Sequence, residues 1–173
     1  MVTGASLLQR IDKTHVPMIV ARLVLGLVFI YYGLYKIAHP IEFLEVLGKY
    51  RLFPQSLPTL MNLTAVVLPW VEVLCGLLVI VGWRTRATVL LVLLLTLAFT
   101  AAVTIRALHI YGEGGTALCD IRFECGCGPG PIVFCSKVLE NSGLLVLAVI
   151  GALSSSRKLS LDGIRGRRAA PAG

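Results

Sequence analysis

Four apolar runs, each long enough to cross a hydrocarbon core, set the limits on what this chain can become. A transmembrane helix needs about 20 mainly apolar residues for a core about 30 Å thick. Such runs extend from Val16 to Ala38, Thr59 to Gly82, Thr88 to Tyr111 and Ser136 to Ser154. Backbone polar groups cannot stay unpaired in lipid, so runs of this length become helices. The fold predicted is an all-α membrane protein, a four-transmembrane-helix bundle. Composition agrees, since 57% hydrophobic and 14% charged residues with a mean hydropathy of +0.86 place the 173-residue chain in the membrane class. The first run is too long for a signal-peptide core and leads into Lys36-Ile37-Ala38-His39-Pro40 instead of a small-residue cleavage site, so it is expected to remain.

One membrane domain over 16–154 is thus expected, preceded by a short segment, 1–15, and followed by a basic tail, 155–173. Gly163, Gly166, Pro171 and clustered charge predict disorder in that tail. The net charge of +7 could suggest nucleic acid, but the basic residues are spread over short connections that flank the apolar runs and set orientation instead. Outside the spans, nine Lys and Arg lie on the side of the two termini and of the Trp83-Arg84-Thr85-Arg86 turn, against five (Lys36, Lys49, Arg51, Arg122 and Lys137) on the other. The excess puts both termini in the cytoplasm of a bacterial inner membrane. The Pro40 to Pro58 connection and the loop between the third and fourth spans then face the periplasm. The tight turn makes the second and third spans antiparallel neighbours. In the outer connection, Ile41, Phe43, Leu44, Val46, Leu47, Tyr50, Leu52 and Phe53 predict a short amphipathic helix that lies on the membrane or caps the bundle, stopped by Pro54 and Pro58.

Ionisable side chains within the spans are the next signal, because each costs roughly 2.5 to 3.5 kcal/mol to insert near the bilayer centre and is usually partnered inside the bundle. Helical rise puts Arg22 about 9 Å in from the start of the first span and Glu72 about 15 Å in from the end of the second, which predicts an Arg22–Glu72 pair. The same arithmetic predicts a second pair, Arg106 with Glu140, each within about 8 Å of the outer face. Such pairs glue helices or line a proton, quinone or ion path. Arg22, Gly26, Phe29, Gly33 and Lys36 share one stripe of the first span, and Pro69, Glu72 and Gly76 share one of the second. Small residues there admit a close helix neighbour. Cys75, mid-span, is expected to pack as a small hydrophobe.

Between the third and fourth spans, Cys119, Cys125, Cys127 and Cys135 crowd a polar, glycine-rich loop with the spacing C-x5-C-x-C-x7-C. Three chemistries could use it: dithiol exchange through mixed disulfides, a thiolate metal site, or two plain structural disulfides. The paired knuckles usual for zinc are not matched by C-x-C. A Cys125–Cys127 bond is tight, since disulfides hold alpha carbons roughly 4.4 to 6.8 Å apart. Gly126 and Gly128 would permit the bend. Arg122 would favour a thiolate, whereas Asp120 and Glu124 oppose it.

The chain resembles the DoxX-like membrane proteins and, within them, the MauE branch. The resemblance rests on Arg22, Gly26, Gly33 and Lys36 in the first span, followed by Pro40 and Phe43; on Pro69, Glu72 and Gly76 in the second, with Gly82 before a basic turn; and on Cys125-Gly126-Cys127-Gly128 before the last. It covers approximately Val16 to Ser154; Pro129-Gly130-Pro131 and the additional Cys119 and Cys135 depart from it. The resemblance implies a redox-associated membrane protein that supports a periplasmic thioredoxin-like partner in handling disulfides of exported proteins, as in methylamine utilisation. Electrons would then pass between the partner's dithiol and Cys125/Cys127, with Cys119 and Cys135 as a resolving or structural pair. Arg106 and Glu140 would position a quinone headgroup or a proton route. Two other classes stay open, a cysteine-based metal binder or transporter and a non-catalytic accessory subunit of a membrane oxidoreductase.

Overall fold

The protein is described by a computed structural model covering residues 16–51, 54, 57–83, 85–114 and 117–153. The N-terminal segment 1–15 and the tail 155–173, with its expected disorder, lie outside the described residues. The described residues form five α-helices, one small hairpin and a single 3-10 turn (Leu118–Asp120): α1 (Val16–Ala38), α2 (Pro40–Tyr50), α3 (Pro58–Val81), α4 (Thr85–Gly112), β1 (Arg122–Glu124), β2 (Pro131–Val133) and α5 (Phe134–Leu153). Four of them, α1, α3, α4 and α5, are long and apolar enough to cross a membrane, as the four runs predict.

Each spanning helix turns large apolar side chains outward, among them Leu27, Leu63, Leu94 and Val146. Such a surface is stable only against lipid. The inward faces are narrower. On α5 they read Lys137, Asn141, Leu144 and Ala148, and on α4 Val89, Val92, Thr96, Val103 and Ala107. Leu25 and Phe29 of α1, Cys75 and Val79 of α3, Val89 and Val92 of α4 and Leu144 and Ala148 of α5 form one shared core. Cys75 packs there as expected.

Helices α1 and α3 approach most closely, and glycines make this possible. A Cβ on Gly26 would lie 2.7 Å from the Gly76 carbonyl oxygen, and one on Gly33 would lie 2.8 Å from that of Pro69. The spans α3 and α4 do touch, and α4 packs more extensively on α5. There Asn141 Nδ2 donates to Thr100 Oγ1 at 3.0 Å. The α3 helix stops at Gly82, whose left-handed backbone (φ 70°) lets its N–H reach the Leu78 and Val79 carbonyls.

The amphipathic α2 helix caps the bundle. Pro40 starts it at a position where a missing N–H costs nothing. Phe43, Val46, Leu47 and Tyr50 turn inward at helical spacing, Phe43 and Leu47 onto Ala65 of α3 and Val46 and Tyr50 onto the cysteine hairpin.

The glycine contact predicts a specific asymmetry. Gly26→Ala should destabilise the α1–α3 pair by about 1 to 3 kcal/mol through overpacking, whereas Gly48→Ala on α2, where a Cβ meets nothing within 4 Å, should not. Thermal unfolding in detergent compares the two, and equal melting temperatures for Gly26→Ala and the parent protein would contradict this packing.

Candidate functional site

Strand pairing builds the site. The strands β1 and β2 are antiparallel, with Arg122 opposite Val133, Phe123 opposite Ile132 and Glu124 opposite Pro131. Alternation sends Ile121, Phe123, Cys125 and Cys127 inward and leaves Arg122 and Glu124 exposed. Both central cysteines therefore point into the protein from the hairpin tip. Gly126 between them is left-handed (φ 72°) and packs so tightly beneath α2 that a Cβ would sit 3.0 Å from the Phe43 ring. Gly128 has no positive φ; the second left-handed glycine of the loop is Gly130 (φ 77°).

The four loop cysteines divide into two pairs. Cys119 and Cys135 form a disulfide with alpha carbons 4.9 Å apart, tying the start of the loop to the first turn of α5. Cys125 and Cys127 are free thiols, both buried. The Cys127 backbone N–H donates to Cys125 Sγ at 3.2 Å, and the Cys127 thiol lies 3.8 Å from the Cys125 carbonyl oxygen. Hydrogen bonding from the Cys127 side chain brings the Cys125 thiol down to about 6 against the opposing effect of burial, helped by the Cys127 N–H and by the positive charges of Lys137 and Lys36. The same hydrogen bond, followed by burial, pushes the Cys127 thiol well up. One sulfur is thus poised as thiolate and the other holds a proton.

The cations behind this are not the expected one. Arg122 is exposed, and the charges bearing on the sulfurs come from Lys36 of α1 and Lys137 of α5, both nearly inaccessible. The predicted Arg22–Glu72 pairing is replaced by Lys36–Glu72, with Lys36 Nζ 2.6 Å from Glu72 Oε1. Helix register and side-chain direction explain the exchange of partner. Gly26 beside Gly76 and Gly33 beside Pro69 put Glu72 level with Ile30. Arg22 then lies about 12 Å away along the axis on one side and Lys36 about 9 Å on the other. Side chains lean toward their own helix N-terminus. Lys36 and the antiparallel Glu72 therefore lean toward each other, whereas Arg22 leans away.

Arg106 and Glu140 are not paired either. Glu140 accepts hydrogen bonds from Tyr32 Oη of α1 and, at 3.0 Å, from Lys137 Nζ one turn earlier on its own helix. Arg106 instead lies beside Lys49, Tyr50 and Glu124 at the hairpin edge. Glu140 is exposed and off the inward stripe of α5, so it meets α1 rather than α4.

Beneath the hairpin, Tyr32, Lys36, Glu72, Thr96, Phe99, Cys127, Lys137 and Asn141 are among the residues that line a small pocket of about 30 Å³. This is room for water. Arg106 and Glu140 lie apart, so the pair expected to position a headgroup is not formed. No group of His, Cys, Asp or Glu able to hold a metal ion occurs among the described residues. Lys36 and Lys137 could have been found from the sequence, since each begins or ends an inward helical stripe. Counting them as loop charges hid them.

The hydrogen bond between the cysteines yields a pH signature. Alkylation of Cys125 by iodoacetamide, followed by peptide mass, should show a midpoint near pH 6, with the rate falling below it as the thiolate takes up a proton. Cys127→Ala removes the hydrogen-bonding side chain and should move the midpoint upward; an unchanged midpoint would refute the role given to Cys127.

No curated protein and no solved structure matches the chain. The family model for methylamine utilisation protein MauE matches residues 14–154, which takes in every span, the cap and the cysteine hairpin. On that match the chain belongs to the MauE family, membrane proteins of methylamine utilisation.

Proposed function

We propose that this protein carries out thiol–disulfide exchange with a thioredoxin-like partner on the periplasmic face of the bacterial inner membrane, serving the disulfides of exported proteins. The observation that carries this reading is the buried Cys125–Cys127 pair, one sulfur accepting the other residue's N–H, with two interior lysines bearing on it. In the oxidising direction the Cys125 thiolate attacks the partner disulfide, forms a mixed disulfide and expels one partner sulfur as thiolate. Cys127 then attacks Cys125 Sγ, releases the second partner sulfur and leaves a Cys125–Cys127 bond. The reverse sequence reduces the pair.

The Cys119–Cys135 disulfide supports an outward-facing loop, since such bonds persist on the oxidising side of the membrane. Already bonded, and anchored in the first turn of α5, it serves as the fixed frame on which the reactive pair is held. By the loop-closure relation a bridge of this sixteen-residue separation contributes about 3 kcal/mol.

Cys127→Ser removes the resolving thiol, so Cys125 should remain joined to its partner. Non-reducing electrophoresis of membranes from cells carrying the variant should show a mixed disulfide with a thioredoxin-fold protein that disappears on reduction and in the Cys125→Ser/Cys127→Ser double variant. A correctly inserted Cys127→Ser protein that traps nothing would overturn the proposal.

A further inference from the structure

We infer that Glu72 is the proton acceptor for Cys127 when the thiol pair closes to its disulfide, the proton crossing the water-sized pocket that both residues line. The inference rests on the exchange reading above and assigns to the buried carboxylate a task beyond holding Lys36.

Closure leaves one proton to be placed. Cys125 reacts as thiolate, but Cys127 begins as a thiol and must shed its proton before its sulfur can attack. The hairpin turns Cys127 away from the bulk and into the pocket beneath it. Most polar groups there are engaged as donors. Lys36 donates to Glu72, Lys137 to Tyr32 and Glu140, Thr96 Oγ1 to the Val92 carbonyl and Asn141 Nδ2 to Thr100.

Glu72 differs. Its Oε1 accepts from Lys36, while its Oε2 is buried with no hydrogen-bond partner, and among the described residues no other buried carboxylate oxygen is left so. A pair that existed only to join two helices would satisfy both oxygens, because an unmet acceptor at this depth is costly. An open lone pair on a carboxylate, in a pocket wide enough for water and shared with a thiol, is the geometry of a base. The titratable groups facing Glu72 are Lys36 and Tyr32 from α1, Lys137 from α5, Cys127 from the hairpin and Cys75 on its own helix; α4 contributes Thr96 and Phe99, which do not titrate.

The step balances. Cys127-SH gives its proton, through water, to Glu72-COO⁻; the Cys127 thiolate attacks Cys125 Sγ in the mixed disulfide; the Cys125–Cys127 bond forms and the other sulfur departs as thiolate with the electron pair of the broken bond. The protein pair is oxidised by two electrons and the incoming disulfide reduced by two. In the opposite direction protonated Glu72 returns the proton to Cys127.

An aromatic disulfide that releases a coloured thiolate separates the two stages in the full-length reduced protein in lipid nanodiscs. The first release reports attack by Cys125, and the second reports closure by Cys127. Glu72→Gln should slow the second release on the order of 100-fold at pH 7 while moving the first much less. Its residual rate should climb about tenfold per pH unit as hydroxide takes over, whereas the native rate levels off; Glu72→Asp should restore part of the loss. Because Glu72→Gln strands a buried lysine, the Glu72→Gln/Lys36→Met variant, which removes the pair as a unit, is measured beside it with the same expectation. A second release at the native rate in either variant, or an unchanged pH profile, would overturn the assignment to Glu72. A native protein that gives no first release sinks the exchange reading itself, an outcome distinct from fast closure without Glu72.

Discussion

The rest of the architecture is arranged around the buried Lys36–Glu72 ion pair. Its side chains are 1% and 4% exposed, at a depth where hydrocarbon surrounds the bundle. An isolated charge there is prohibitive, and even a pair is retained only when its surroundings compensate for lost water. Those surroundings come from four helices. α1 supplies the lysine and α3 the carboxylate, while the rings of Phe43 from α2 and Phe99 from α4 face the ammonium at 5.0 and 4.1 Å. The glycine contacts between α1 and α3 set the register in which lysine and carboxylate lean toward each other. Sliding either helix by a turn would strand both charges, so the pair fixes axial alignment as well as filling space.

Alignment then propagates to sulfur. With Lys36 held, its ammonium sits beneath Cys127, and Lys137, anchored by Tyr32 and Glu140, approaches from α5. Two positive side chains from the neighbouring helices α1 and α5 bear on a hairpin whose tip presents two thiols inward. The disulfide between Cys119 and Cys135 and the backbone bond from Phe134 N to the Ile121 carbonyl at 3.1 Å fix the hairpin base to α5. Position, charge and register of the sulfurs thus trace to helix packing rather than to the loop sequence alone.

The helical layout was legible because its cause is local: length and apolarity of a run suffice when lipid is the solvent. The stripes of Gly26, Gly33 and Gly76 and the inward face of α2 were legible for a similar reason, since helical periodicity needs no knowledge of neighbours. Charge partners were not. Depth arithmetic counted residues from the span ends, which gives height along the axis but not the direction in which a side chain leans or the face it leaves. Lys36 and Glu72 meet by leaning, and Glu140 misses Arg106 by lying off the inward face of α5. The state of the four loop cysteines was also beyond spacing alone, because the strand alternation that turns Cys125 and Cys127 inward depends on a hairpin register set by pairing with Pro131, Ile132 and Val133.

Burial of the thiols imposes a mechanical condition on any exchange with a macromolecular partner. Cys125 is 3% exposed and Cys127 6%; they are covered in part by Val103 and Ala107 of α4 and in part by α2, with Phe43 and Val46 against Gly126 and Tyr50 Oη donating to the Cys125 carbonyl at 3.4 Å. Among the contacts that hold this cover, the Lys49–Glu124 bridge is half exposed on both sides and so contributes little holding force. The apolar face of α2 contributes more, but it rests partly on the hairpin itself and partly on α3, and the helix ends at Arg51 in a left-handed residue rather than running on into the bundle. The cap is joined to α1 through the single residue His39 and held on the hairpin by the Lys49–Glu124 bridge, the Tyr50 hydrogen bond and the packing of Phe43 and Val46 on Gly126. With α2 in this place the sulfurs are shielded, so the exchange proposed above requires that this cover open locally.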